Sequence, residues 1–237
     1  LVFSVTHEIL EQFEHLPAPK VFLNHGVADL FLNKIPSGFT KSDDAGQIRF
    51  GYAGNLLRPD IDRPMMQKIV CSNPEVQFEM WGAHESQASN LGSGGAGDAE
   101  HSFIAFLSDQ ENVVLHGPVS AQELVDGFAR MNGFLICYNI EKDQSSGTNY
   151  HKILEYLATG KVIVSNSVTT YRDMPLFRMC NSRSSNDEMP LLFTDTVEHI
   201  DEWNSEERCR QRIEFAAAHT YSKQLEKIDD AVTSLPS

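Results

Sequence analysis

The chain has 237 residues, 41% of them hydrophobic, with 19 lysines and arginines against 33 aspartates and glutamates, a formal charge of -14. That length suits one large domain or one and a half ordinary ones, with enough apolar residues for a real core. So acidic a surface repels phosphate backbones and anionic lipid heads, which excludes nucleic acid or a charged membrane as a general partner but not a local basic pocket for a small anion. No apolar run is long enough to span a bilayer. Cys71, Cys137, Cys180 and Cys209 are scattered with no paired spacing. This predicts neither a disulfide framework nor a structural metal, and it suits a reducing, cytoplasmic compartment.

In chain order, Leu1 to Val5 reads as a buried strand, followed by a helix to about Leu16 and a strand at Lys20 to Asn24. The chain therefore opens as if inside a folded unit, which predicts a fragment, or the ordered part, of a longer protein. Polar Lys41 to Gln47 reads as a linker. Six strands are predicted beyond it, at Ile48 to Ala53, Val76 to Trp81, Val113 to His116, Gly133 to Tyr138, Val162 to Ser165 and Leu191 to Thr194. Several are apolar on consecutive residues, as strands covered on both faces are. Helices are predicted at Arg63 to Cys71, His101 to Leu107, Ala121 to Met131, Asn149 to Thr159 and Thr196 to Asn204. Ser120 and Glu123 form a capping-box signature for the third. Ser86 to Ala99 and Asn181 to Asp187 read as loops. Ser205 to about Val232 reads as a helical tail, broken near His219 to Ser222. The alternation predicts an α/β fold with a Rossmann-like, doubly wound parallel sheet.

Ligands of such sheets bind beyond the carboxyl ends of the strands, and three segments lie there. Gly51 to Leu56 carries Gly54, which lets a backbone approach a ligand; taken alone it reads better as a tight strand-to-helix turn with no ligand. His116 to Ser120 offers backbone groups to a flat base edge, or is simply a proline turn before a capped helix. Ser145 to Asn149 leads into a helix with Lys152 in its first turn and Glu155 at i+3 on the same face. Helix-start amides and the lysine suit a phosphate, and the carboxylate suits a ribose diol. The plain alternative is a surface Lys–Glu pair. Against it, Ile153, Leu154, Leu157 and Ala158 predict tight packing on the sheet, and lysine before glutamate is the weaker order for a helical pair. The nine histidines form no ligand-like helical pair, and neither a Gly-x-Ser-x-Gly elbow nor a Walker loop is present.

Taken in order, these segments resemble the C-terminal half of a GT-B fold glycosyltransferase. Phe22 to Phe31 resembles the "pNGVD…F" segment that closes the family's N-terminal domain, and Glu111 to Gly117 its "NV…G" strand. Lys152 to Ser165 is similar to its "K-x-x-E-Y-L-A-x-G-K-P-V-V-S" helix and strand, with Val162 in place of the proline. The resemblance implies a remnant of the acceptor domain at 1–40, a linker at 41–47, a nucleotide-sugar donor domain at 48–215 and a crossing-back helix at 216–237. It implies a diphosphate on Gly54, Asn55, Arg58, Gly147, Thr148 and Lys152, and a nucleoside on Val119 and Glu155, with no metal or other cofactor and no assignable catalytic residue. Retaining members carry a second glutamate upstream of the Glu155 position, where this chain has Thr148. It is nearer to members acting in bacterial surface-polysaccharide assembly. The implied function is transfer of a sugar from a nucleotide-diphosphate sugar to a glycan or lipid-linked acceptor, with weak peripheral association of the full-length protein at the inner membrane face as an option. The alternatives are a non-catalytic binding module and a GT-B-like epimerase.

Overall fold

The computed structural model describes residues 1–33, 46–85, 97–142 and 147–235. Predictions for 41–45, 86–96, Ser145 and Ser146 lie outside the described residues. Strands β1 (Val2–Ser4) and β2 (Lys20–Phe22) form a two-stranded parallel sheet, joined through helix α1 (His7–Glu11), with α2 (Asp29–Leu32) following. The main sheet comprises β3 (Arg49–Ala53), β4 (Gln77–Trp81), β5 (Val113–Gly117), β6 (Gly133–Ile136), β7 (Val162–Ser165) and β8 (Arg178–Met179). Its order is β5-β4-β3-β6-β7-β8, and each of its pairs is parallel. The winding reverses between β3 and β6, so the crevice outside their carboxyl ends is the place a ligand can enter.

Burial explains which strands the sequence marks clearly. All residues of β6 and β7 are buried, as central parallel strands require, whereas β5 alternates because it lies at the sheet edge. Side chains alternate between two cores. Phe134 and Ile136 of β6 join one with Phe128, Tyr156 and Ala216; Leu135 joins the other with Met66, Phe103 and Phe193. The helices contributing to the first are α2, α5 (Ala121–Phe128), α6 (Lys152–Ala158) and α9 (Glu206–Ala217); those of the second are α3 (Arg63–Ser72), α4 (Asp98–Ser108) and α7 (Met189–Glu198). α8 (Ile200–Trp203) follows α7, and α10 (Tyr221–Thr233) ends the described fold. The tail breaks as expected: Thr220 caps α10, and Val27 donates to His219 O at 2.9 Å.

One predicted strand is a helix. Leu191 to Thr194 lies inside α7, where Met189, Phe193 and Val197 recur at helical spacing on the buried face and Leu191 is 77% exposed. A four-residue apolar run fits either element, and Pro190 in the first turn favours the helix. The sixth strand is instead β8, only two residues long and too short to leave a periodic signal. The helix predicted at Thr196 to Asn204 is the end of α7 plus α8. The N-terminal strand is half-buried rather than buried. The helix predicted from Asn149 begins at Lys152, with Thr148 and Asn149 held by hydrogen bonds to Thr169, Val5 and Asn24, and α5 stops at Phe128 instead of Met131.

The strand ends are tied in a row. Gly54 donates to Trp81 O and Gly82 to Gly117 O, both at 2.9 Å. Gly82 has φ +129°, and a Cβ there would overlap the Gly54 carbonyl. Gly82→Ala therefore meets both a forbidden φ and a backbone clash, and should cost more than about 2 kcal/mol in denaturant unfolding. A loss below about half a kcal/mol, within the range of a neutral surface change, would show that the turn is pliable.

Candidate functional site at the sheet crossover

The buried phenol of Tyr156 on α6 reaches the end of β3, where its oxygen accepts the Ala53 N–H at 2.7 Å. Burial, first of all, pushes its pKa up, so the hydroxyl stays protonated. This bond sets the helix bearing Lys152 and Glu155 against the strand that leads into Gly54.

A cavity of about 260 Å³ opens in the crevice. Val5, Thr6 and Ile9 line it from the N-terminal segment, Arg58 and Asp60 from the turn after β3, and Tyr138, Lys142 and Gly147 to Tyr150 from the chain after β6. Arg58 grips Asp60 through two bonds, of 2.8 Å and 2.5 Å, and lies over the Tyr138 ring at 5.9 Å. Burial works against the Asp60 charge, but the bonds and charge of Arg58 outweigh it and hold the carboxyl below its usual range. Lys142 donates to Pro59 O at 2.7 Å.

Arg58, Gly147 and Thr148 are thus brought to one cavity, whereas Gly54, Asn55, Val119, Lys152 and Glu155 are not among its lining residues. Lys152 and Glu155 are bonded to each other at 2.8 Å, with side chains 24% and 15% exposed. Burial raises the Glu155 pKa while Lys152 pulls it down. The Gly54 amide is taken by Trp81 O, and Asn55 Oδ1 accepts the Leu57 N–H at 2.9 Å. Val119 sits exposed in the turn before α5, away from the cavity lining. Thr148, 3% exposed, departs from the picture of open helix-start amides. Its N–H donates to Thr169 Oγ1 at 2.8 Å, and its hydroxyl accepts from Thr169 N at 3.0 Å and from Arg183 Nη1 at 3.2 Å. A Cβ on Gly147 would overlap Thr6 Oγ1, so glycine lets the N-terminal segment close on the loop.

Asp60, Lys142, His25 and His151 are not among the candidates read from sequence, and Asn149 is so only as the end of the Ser145 to Asn149 segment. Asn149 Nδ2 donates to Val5 O at 2.9 Å and Asn24 Oδ1 at 2.8 Å, and His25 Nε2 lies 3.1 Å from Asn149 O. His25 and His151 rings lie 6.2 Å apart. The only local signal was that His151 adjoins Lys152. Among the described residues no three His, Cys, Asp or Glu side chains are grouped to hold a metal ion.

No family model and no curated protein matches the chain, whereas solved structures do. HepE from Anabaena, in complex with UDP-glucose, superposes with TM-score 0.70 at 14% identity over 99% of this chain and 64% of its own. Sucrose-phosphate synthase from Thermosynechococcus elongatus gives 0.70 at 11% identity over 98% and 57%. TarM gives 0.66 at 13% over 98% and 43%. This is the Rossmann-like half of a GT-B glycosyltransferase fold. The chain spans less than two thirds of each of these GT-B structures. No helix among its described residues is long and apolar enough to cross a membrane, and its four cysteines are unbonded.

Two outcomes follow from this geometry. Tyr156→Phe leaves the buried Ala53 amide unpaired and should lower stability by about 1–3 kcal/mol in chemical denaturation; an unchanged midpoint would remove the phenol from this role. His151 has its pKa pushed down to about 4 by burial, then by Lys152, His25 and Arg58. The unfolded chain binds that proton first, so stability should fall as pH drops from about 6.5 towards about 4. His151→Asn should flatten that slope in melting curves taken across the interval.

Proposed function

We propose that this chain is the donor-binding part of a glycosyltransferase, which moves a sugar from a nucleotide-diphosphate sugar to an acceptor in polysaccharide or glycoconjugate biosynthesis. One observation carries the reading: in a GT-B half, Arg58, Gly147 and Thr148 share a cavity at the β3–β6 crossover, and the loop that lines it runs into the helix of the Lys152–Glu155 pair. The UDP-glucose held by HepE supports a nucleotide sugar as ligand.

In this reading the site's charges stand paired, Arg58 with Asp60 and Lys152 with Glu155. A diphosphate draws Lys152 away from Glu155, and the released carboxylate then accepts hydrogen bonds from the ribose hydroxyls. Arg58 supplies the second positive charge, and Gly54, Asn55, Gly147 and Thr148 shape the path of the phosphates. Val119 backbone groups meet the base. As the bond between the sugar and the diphosphate breaks, charge gathers on the leaving oxygen, where fixed cations stabilise it most. These two side chains supply that charge without a divalent metal. The cavity is smaller than the roughly 300–1,000 Å³ of pockets for drug-sized ligands; it suits the diphosphate, whose assigned Arg58, Gly147 and Thr148 line it, with the sugar and nucleoside outside it.

The acceptor, a glycan or lipid-linked saccharide, belongs to a further domain of the whole enzyme, for which we propose a cytoplasmic site, with peripheral contact at the inner membrane face. A non-catalytic module would bind the nucleotide without transfer by the whole protein, and an epimerase would convert the nucleotide sugar with no acceptor present.

Calorimetry with UDP, GDP and ADP tests the reading. At least one should bind, and Glu155→Ala should weaken that binding about tenfold to a hundredfold, the loss of hydrogen bonds to a charged group. Unchanged affinity in a variant of normal melting temperature would sink the assignment of Glu155.

A further inference from the structure

Lys142 lines the cavity together with Arg58, and the chain holds it there by backbone and side chain alike. The segments that leave β3 and β6 pair with each other just beyond the sheet. The Asp62 N–H donates to Cys137 O at 3.0 Å, Ile61 and Tyr138 form an antiparallel bridge, and the Asn139 N–H donates to Asp60 O at 2.7 Å. Asn139 then opens a turn, in which the Lys142 N–H donates to Asn139 O at 3.2 Å and to Asn139 Oδ1 at 3.1 Å. From that turn the Lys142 side chain reaches back, and its Nζ donates to Pro59 O at 2.7 Å. The ammonium is thus fixed to the turn that carries Arg58 and Asp60.

Its charge is not matched. Among the described residues Lys142 forms no ion pair. Asp60 is bound by Arg58 through both carboxylate oxygens, and Glu100, within range of the Lys142 charge, is bonded to Arg63 at 2.6 Å. The lining side chains therefore leave one positive charge uncompensated. Lys142 is exposed, so an anion can reach it from solvent. An ammonium carries several N–H donors, and Pro59 takes a single one.

We propose that Lys142 is a diphosphate-binding residue of this cavity, its ammonium donating directly to a phosphate oxygen with Arg58 beside it. The inference rests on the donor-binding reading above and adds a residue that the family resemblance does not assign. Lys152 has to leave Glu155, bonded at 2.8 Å, before it can meet an anion. Lys142 gives up no carboxylate. Held at its base and its tip, it also has less side-chain freedom to lose on binding than a loose surface lysine.

Inorganic pyrophosphate is the probe, so that the unknown base plays no part. Calorimetry measures its affinity for the wild type, Lys142→Gln and Lys68→Gln. Glutamine keeps an N–H for Pro59 O and removes the charge. Lys68, exposed on α3 and outside the cavity lining, controls for the change in net charge. Lys142→Gln should weaken binding about tenfold, the contribution of a hydrogen bond between charged groups, while Lys68→Gln stays close to wild type. A loss under about fivefold, no more than a surface charge contributes, overturns the inference and leaves the nucleotide reading standing. So does an equal loss in both variants. If Lys142→Gln also melts at a lower temperature, Lys142→Arg decides: restored affinity sustains the contact, and continued weakness overturns it. A nucleotide that binds while pyrophosphate does not overturns it too. If neither binds, the donor-site reading fails, and this inference with it.

Discussion

The buried hydrogen bond from Ala53 to Tyr156 is the constraint on which the site depends. A parallel sheet that winds outward in both directions leaves a gap where β3 and β6 part, and something has to hold that gap in shape. The phenol does so by satisfying the strand's last amide from within a helix that packs on the same core. Phe134 stacks on the Tyr156 ring at 4.2 Å, and Phe128 meets it edge-on at 5.4 Å, so the hydroxyl has little freedom. The same helix then presents Lys152 and Glu155 at a fixed distance from the turn carrying Gly54 and Arg58. Packing energy from one core is converted into the geometry of a polar site.

The electrostatics of that site are local and run against the protein as a whole. A chain of charge -14 gathers Arg58, Lys142, Lys152, His25 and His151 around one crevice. Isolated, such a cluster would repel itself. The two strongest cations are each paired with a carboxylate, and burial together with its cationic neighbours keeps His151 neutral. Such pairs add little stability, since desolvation offsets much of the attraction. They keep the local cations from opposing folding.

The N-terminal segment is bound to this arrangement. Asn149 bridges Val5 and Asn24, and Tyr171 stands 3.4 Å from Asn24 Oδ1. Thr148 and Thr169 exchange hydrogen bonds beneath that bridge. The loop before α6 is therefore fixed on two sides, by the N-terminal segment and by the turn after β7. On the far side, the backbone pairing of Val27 with His219 and Tyr221 ties the N-terminal segment to α10. A two-stranded sheet has little stability of its own, and these contacts hold β1 and β2 in place.

Much of this was legible in the sequence, for a physical reason. Consecutive burial along β6 and β7, the capping box at Ser120 and the glycine after α6 are local signals, written in neighbouring residues. They determined the element order as far as β7, the parallel class and the placing of Lys152 and Glu155 on one helix face. Where local signals ran short, tertiary structure decided. The apolar run at Leu191 to Thr194 became helix because Met189, Phe193 and Val197 had a face to bury, and the two residues of β8 became a strand only because β7 offered an edge. Thr148 was read as an open phosphate contact, yet its amide is bound by Thr169, a partner 21 positions away. The approach of Thr6 to Gly147 and the meeting of His25 with His151 depend on where the chain returns in space. The sequence alone determined which helix could hold an anion; only the folded chain decided which charges lie near it, because Arg58 and Lys152 come from segments about ninety residues apart.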